Sequence, residues 1–384
     1  MCAKYSKILV TGGAGFIGSH IVEALADKGH MVFVLDNLES TTHGNNATRP
    51  KNIESLQGDI EFVHNDVRNE KVLFECIQEV DAIFHEAAVG GLGLSMYQIH
   101  SCIDPNCGGT AKLLDILVNK EHNVKKVVLA SSMAVYGEGT YDCEECGVIY
   151  PNIRAEQQLT QKIWEIQCPN CGKTALPLPT NESKPLKPAS VYSISKRTQE
   201  EMCLLIGKLY GIPTIALRYF VTYGPRQSMR NPYSGVCSIW STRLLSNKLP
   251  IIYEDGLQSR DFIYVKDIVQ ANLLALEKNN GNYLAMNVGT GRQIKITELA
   301  SELIQAYDVN ISPEINYLYR KGDVRHLFAD ISLIKRKLGF TPKYTLQEGL
   351  QQFEAWSREM FKAGEFTDKF EEAHKELENK KLLS

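Results

Sequence analysis

Between Lys7 and Asp36 a short apolar run, Ile8-Leu9-Val10, leads into Thr11-Gly12-Gly13-Ala14-Gly15-Phe16-Ile17-Gly18-Ser19. A helix-length stretch and a second apolar run, Val32-Phe33-Val34-Leu35, follow and end on Asp36. The glycines satisfy G-x-G-x-x-G at 13, 15 and 18 and G-x-x-G-x-x-G at 12, 15 and 18. Glycine there permits a tight turn and lets backbone amides at a helix N-terminus approach a pyrophosphate. The pattern is weak by itself, but between a strand and a helix, with an acid closing the next strand, it specifies a dinucleotide cradle. The Asp36 carboxylate can accept from ribose hydroxyls and would repel a 2′-phosphate, which favours NAD over NADP. Gly12, Gly15, Phe16, Ile17, Gly18, Asp36 and the adjacent Asn37 are therefore the first expected cofactor contacts.

The same alternation continues along the chain. Apolar runs at 7–10, 32–35, 60–64, 82–84, 126–130 and 214–218 are interspersed with helix-length stretches such as 20–28 and 109–119. This predicts an α/β fold, a Rossmann-like doubly wound parallel sheet with right-handed crossovers. After Gly224-Pro225 turn clusters dominate, at 231–235, 254–256 and 288–291. The expected organisation is a nucleotide domain over 1–224, a region that is mainly a smaller substrate lobe over 225–345, and a helical tail over 346–384. The tail is charged and periodic, and reads as a solvated or subunit-contacting helix rather than a ligand site. A chain of 384 residues can bury such a core. Its net charge of −3 shows no basic surplus, which argues against nucleic acid as a partner. No apolar leader precedes the first strand and no run approaches a membrane span, so a soluble cytoplasmic protein with no membrane partner is expected.

Ala130-Ser131-Ser132 closes the fifth apolar run, where open α/β sheets present ligands at their carboxyl edge. Farther on, Val191-Tyr192-Ser193-Ile194-Ser195-Lys196-Arg197 opens a helix. Tyr192 and Lys196, four apart, share a face, and an ammonium near a phenol favours phenolate. A phenol of ordinary pKa, about 10, needs that help, together with the nicotinamide's positive charge, to serve as a base near neutrality.

With these residues in view, the chain resembles the extended short-chain dehydrogenase/reductase family, in its nucleotide-sugar epimerase and dehydratase branch. The resemblance spans residues 6–345 and rests on Thr11–Gly18, Asp66-Val67, His85-Glu86-Ala87-Ala88, Ser131–Gly137, Tyr192 with Lys196, Arg218-Tyr219-Phe220, Tyr223–Gln227, Ser259–Phe262 and Arg320–Arg325. It implies Tyr192 as base, Lys196 as its orienting partner on the nicotinamide ribose, and Ser132 as hydrogen-bond partner of the reacting sugar hydroxyl. It further implies Asp66 and Val67 at the adenine edge and Ala87 and Ala88 beside the cofactor. Arg226, Arg260, Arg320 and Arg325 would hold a nucleotide diphosphate, work suited to a planar multi-donor guanidinium. Members that eliminate water carry an Asp-Glu pair directly after the serine or threonine. Met133-Ala134 stands there, which disfavours a dehydratase and, by the missing glutamate at Ala134, a uronate decarboxylase. The implied reaction is epimerization of a nucleotide-diphosphate sugar, most often at C4. An NAD-dependent sugar dehydrogenase or dehydratase, and a non-enzymatic NAD-binding scaffold, are the alternatives. Val221 replaces the asparagine that family members place after Arg-Tyr-Phe to contact the diphosphate, so the diphosphate must find another partner. A homodimer is implied by resemblance alone.

Sixty positions separate Ser132 from Tyr192, more than the family usually needs. The surplus contains Cys143-Glu-Glu-Cys146-Gly147 and Cys168-Pro-Asn-Cys171-Gly172. Two C-x-x-C-G knuckles match a zinc-ribbon-like four-cysteine site over 140–182, in which all ligands are thiolates and the zinc is structural; a disulfide pair or iron is the alternative. Six acids against four bases between Asp142 and Lys184 oppose a phosphate-binding role for the insert. Within the family, this insert and the segment Pro225–Gly235 most resemble dTDP-L-rhamnose 4-epimerases, with a UDP-hexose enzyme as the broader alternative.

Overall fold

The computed structural model describes residues 5–44, 47–364 and 368–384; Cys2 and the first residues of the chain lie outside these. Seven parallel strands form the central sheet: β1 (Lys7–Thr11), β2 (Met31–Asp36), β3 (Ile60–His64), β4 (Ala82–His85), β5 (Lys126–Ser132), β6 (Thr214–Tyr219) and β7 (Ala285–Val288). Their spatial order is β7-β6-β5-β4-β1-β2-β3. Side chains alternate between the faces, so each strand feeds two cores. Ile8, Val10, Val32, Val34 and Phe84 pack on one face with α1 (Phe16–Asp27), while Leu9, Phe33, Leu35 and Ile83 pack on the other with α2 (Glu70–Gln78) and α3 (Gly109–Asn119). Both faces are covered, and that is why these strands read as continuous apolar runs rather than alternating ones.

The long helix α4 (Val191–Leu209) follows the insert. Its start is fixed by a reciprocal cap: Ser190 Oγ accepts from Ser193 N at 3.1 Å and Ser193 Oγ accepts from Ser190 N at 2.8 Å. Tyr192 thereby falls in the first turn.

The structure departs from the expected division at 224. The chain returns to the nucleotide domain through α5 (Val265–Glu277), which packs on α1, and through β7, which pairs with β6. Ala285-Met286-Asn287-Val288 is only four residues long and carries a polar residue, so its strand signal is faint in the sequence. The substrate lobe is consequently built from two stretches around that return. The tail differs as well. In α6 (Leu346–Lys362), Leu346, Leu350 and Phe353 enter the lobe's core, and α7 (Phe370–Asn379) folds back over the lobe. Neither is a freely solvated helix.

The insert forms an antiparallel three-stranded sheet from Thr140–Cys143, Gly147–Ile149 and Leu176–Leu178. Its own core is small: Tyr141, Cys143, Ile149, Ile166, Cys168 and Ala175. No helix among the described residues is long and apolar enough to cross a membrane.

Candidate active site

The strand order places a switch point between β1 and β4, whose continuations leave in opposite directions along the sheet; such a crevice is where α/β sheets hold ligands. After β1 the chain turns at Gly12, with φ of +70°, a conformation glycine adopts without strain. A Cβ on Gly18 would stand 2.2 Å from the Gly12 carbonyl oxygen, so helix α1 can approach the turn only with glycine there. Asp36 ends β2 as expected, and its carboxylate accepts from Ala14 N at 3.0 Å and Leu38 N at 2.8 Å.

One cleft along this edge is lined by Gly12, Gly15, Phe16, Ile17, Gly18, Asp36, Asn37, Asp66, Val67, Ala87, Ala88, Tyr192 and Lys196. The structure thus gathers every residue read as a cofactor contact. Asn37 Nδ2 donates to Asp66 at 2.8 Å, and the Arg68 guanidinium holds the Asp66 carboxyl down to about 2.

A buried polar chain fixes the floor of the cleft. Thr11 Oγ1 meets His85 Nδ1 at 2.8 Å, His85 Nε2 meets Thr110 Oγ1 at 2.9 Å, and Gln199 Nε2 donates to Thr110 Oγ1 at 2.7 Å. It ties β1, β4, α3 and α4 together. Burial pushes the His85 imidazole down to about 3, so it stays neutral.

Lys196 Nζ donates to the Ala130 carbonyl at 2.8 Å, and burial lowers its pKa. Tyr192 is pushed up to about 12 by burial, with the Ser132 hydroxyl, in hydrogen-bond contact, acting the other way. Lys196 shares the Tyr192 face of α4 and turns its ammonium to the Ala130 carbonyl. Without a further positive charge in the cleft the phenol keeps its proton.

A second cavity adjoins the first beyond Ser132. Met133, Ala134, Ser190, Arg260, Arg320 and Asp323 line it, with Leu377 and Leu382 from the tail. Arg260 is already committed, donating to the Ser259, Val324 and Arg325 carbonyls and to Asp323 Oδ1 at 3.0 Å. Arg320 is half-exposed, pairs with Asp323 Oδ2 at 3.0 Å and lies 5.2 Å over the Tyr253 ring.

Two expected substrate contacts are corrected. Arg325 is fully buried, and its side-chain nitrogens bond Glu165, Glu254 and Asp255 at 2.5 to 3.1 Å. A guanidinium enclosed by three carboxylates has no donor left for a diphosphate. Arg226 sits at φ +67°, 2.9 Å from Glu23 of α1, and faces an outer cavity with Asn52 and Trp356 rather than the cleft.

The sequence reading also missed residues that matter here. Glu200 accepts from Ser131 Oγ at 2.6 Å and from Arg218 Nε at 2.9 Å, locking α4 to β5 and β6 beside the reacting groups. Tyr192, Lys196 and Glu200 recur every four residues on one helix face, a signal that could have found it. Glu86 lines the cleft, accepts from Tyr219 OH at 2.9 Å, and has its carboxyl raised by burial. Gln227, Ser228 and Tyr233 complete the outer wall.

The four insert cysteines converge, their sulfurs all within 4.8 Å of one another, with Gly147 and Gly172 at φ of +69° and +76° behind the two knuckles.

A family model described as the NAD dependent epimerase/dehydratase family matches residues 8–153 and 170–289. The chain belongs to this family. The gap in the match falls within the insert. Among curated members, a dTDP-L-rhamnose 4-epimerase of Burkholderia thailandensis is 33% identical over 352 residues, covering 91% of this chain and 94% of that one. A UDP-glucose 4-epimerase of Thermotoga maritima, solved with UDP-glucose, shares 30% identity at a TM-score of 0.74 over 92% of this chain and 99% of the other. A UDP-glucuronic acid 4-epimerase of Bacillus cereus, solved with UDP-glucuronic acid and NAD, shares 27% identity at a TM-score of 0.73 over the same fractions.

Proposed function

We propose that this family member is an NAD-dependent nucleotide-diphosphate-sugar 4-epimerase, acting on dTDP-L-rhamnose or a related nucleotide hexose. The observation that carries the reading is that neighbouring residues at the end of β5 and the start of α4 line two cavities: Ser131 and Tyr192 line the one with the glycine turn and Asp36, and Met133, Ser190 and Ser193 line the one with Arg320. The first fits a dinucleotide: glycine at 12 and 18 lets the turn close tightly against Ala87 and against the start of α1, and Asp36 stands where a 2′-phosphate would be repelled.

Bound NAD supplies reversible hydride acceptance. Tyr192 takes the proton of the sugar hydroxyl, and Ser132 holds that hydroxyl in line with the phenol. Lys196 orients the cofactor ribose and, with the cofactor's positive charge, lowers the phenol from its raised value. The ketosugar then turns its other face, and Tyr192 returns the proton. No carboxylate follows Ser132 to catalyse elimination, and this supports epimerization over dehydration. Arg320 is the cation best placed for the diphosphate, a role that Val221 cannot fill.

The insert is proposed to hold one structural zinc through Cys143, Cys146, Cys168 and Cys171. Zinc–thiolate bonds of about 2.3 Å put sulfurs roughly 3.8 Å apart, compatible with the observed convergence. Such a site needs reduced sulfurs and fits a cytoplasmic setting. A homodimer through α3 and α4 is supported by exposed Leu205, Leu209 and Tyr210 on α4 or at its end.

The purified protein should release NAD on denaturation, and no net NADH should form when dTDP-L-rhamnose is added. Stoichiometric NADH would support the dehydrogenase alternative instead.

A further inference from the structure

Residues 368–384 take no part in the chemistry above, yet they wall the substrate cavity. Helix α7 is fastened by Arg243 to Glu371 at 2.7 Å, Tyr253 OH to His374 Nδ1 at 2.9 Å and Tyr233 OH to Glu376 at 3.2 Å. Beyond it the backbone pairs with the segment carrying Arg320: Tyr319 N donates to Ser384 O at 2.8 Å and Lys321 N to Leu382 O at 2.9 Å. These anchors seat Leu377, 5% exposed, in the wall of the cavity. Its Cδ2 lies 3.4 Å from where a Cβ on Gly93 would stand. Leu92, Met96 and Met133 add further apolar lining, while the charges of the cavity come from Arg260 and the 320–323 segment. Leu92 and Met96 are 48% and 37% exposed, an apolar surface open to a ligand.

We propose that Leu377 is a specificity-determining residue of the sugar site. With Leu92, Met96 and Met133 it forms an apolar wall that accepts a methyl group on sugar C5 and disfavours a hydroxymethyl or carboxylate there. A polar group on this wall gives up its water hydrogen bonds and gains no partner. The inference rests on the nucleotide-sugar reading above.

Full-length, NAD-loaded protein carrying Tyr192→Phe, which binds without turnover, is titrated calorimetrically with dTDP, dTDP-6-deoxyglucose, dTDP-glucose and dTDP-glucuronate, sugars that differ only at C6. The 6-deoxy sugar should bind roughly tenfold or more tightly than either other sugar. Adding Leu377→Ala should erode that ratio several-fold and leave dTDP binding unchanged; Leu377→Met should keep it. Leu92→Asn, at an exposed wall position, reads the same ratio independently of the fold of the tail and should also erode it. Equal affinities in the parent, an unchanged ratio in the wall variants, or parallel weakening of dTDP and all three sugars would overturn the inference. Absence of any dTDP or UDP binding would remove the nucleotide-sugar reading and this inference with it. Bound dTDP with undiscriminated sugars would sink the inference alone.

Discussion

Tyr192, the proposed base, is a phenol that the fold alone holds protonated. Burial raises the phenol, Lys196 points at a backbone carbonyl, and the Ser132 hydroxyl acts against the rise. Tyr192→Phe should lower turnover by about a hundredfold to ten-thousandfold with NAD content unchanged, read by steady-state kinetics and by cofactor released on denaturation. Undiminished turnover would overturn the assignment. His85 carries a separate, stability-linked expectation. Its folded pKa of about 3 lies below the ordinary value of about 6.5, so the unfolded chain binds a proton that the folded one refuses. That stability is complete above the ordinary value and is lost as pH falls toward 3, with a slope approaching about 1.4 kcal/mol per unit. His85→Asn should flatten this limb in urea titrations between about pH 6.5 and about pH 4, at the cost of lower stability near neutrality. The residues that line the cleft were legible because backbone chemistry dictates several of them: only glycine fits at Gly18, and the end of β2 brings Asp36 to the same edge. Arg325 and Arg226 were not, because a motif names a guanidinium but says nothing of the carboxylates that will surround it.

At the scale of elements, the insert and the segment after Arg320 are one mechanical unit. Glu138 accepts from the Arg325 and His326 amides, Arg154 pairs with Glu254 at 2.8 Å, and Glu165 bonds both Arg325 and His326. Arg325→Ala leaves Asp255 without its ion-pair partner and Glu254 with Arg154 alone, and should cost about 3–5 kcal/mol of unfolding free energy in denaturant titrations. Loss of substrate affinity with stability intact would restore the diphosphate role. The insert's own core is small, and the proposed zinc would add to it. Metal analysis should find about one zinc per chain, and Cys168→Ser should lower the melting temperature and raise KM through the displaced Arg320 segment. The C-x-x-C-G spacing announced this element plainly. The role of the tail was hidden, because amphipathic periodicity marks a packed face without naming what lies under it.

For the whole molecule, most of the architecture was legible: six of the seven sheet strands coincide with apolar runs, and parallel order follows from their alternation with helices. The seventh, β7, is short and polar, and its place comes from pairing with β6, a long-range contact that local pattern does not encode. That return splits the substrate lobe and brings the Arg260 and Arg320 segments over the carboxyl edge, opposite Ser132 and Tyr192. The account's central claim is that the two cavities form one epimerase site. Proton NMR of the full-length protein with dTDP-L-rhamnose, then UDP-glucose and UDP-N-acetylglucosamine, with absorbance followed at the NADH band, tests it most directly. A second set of hexose signals growing to equilibrium without net NADH is the expected result. Accumulating NADH, a persistent ketosugar, or no change in any of the three sugars would contradict it.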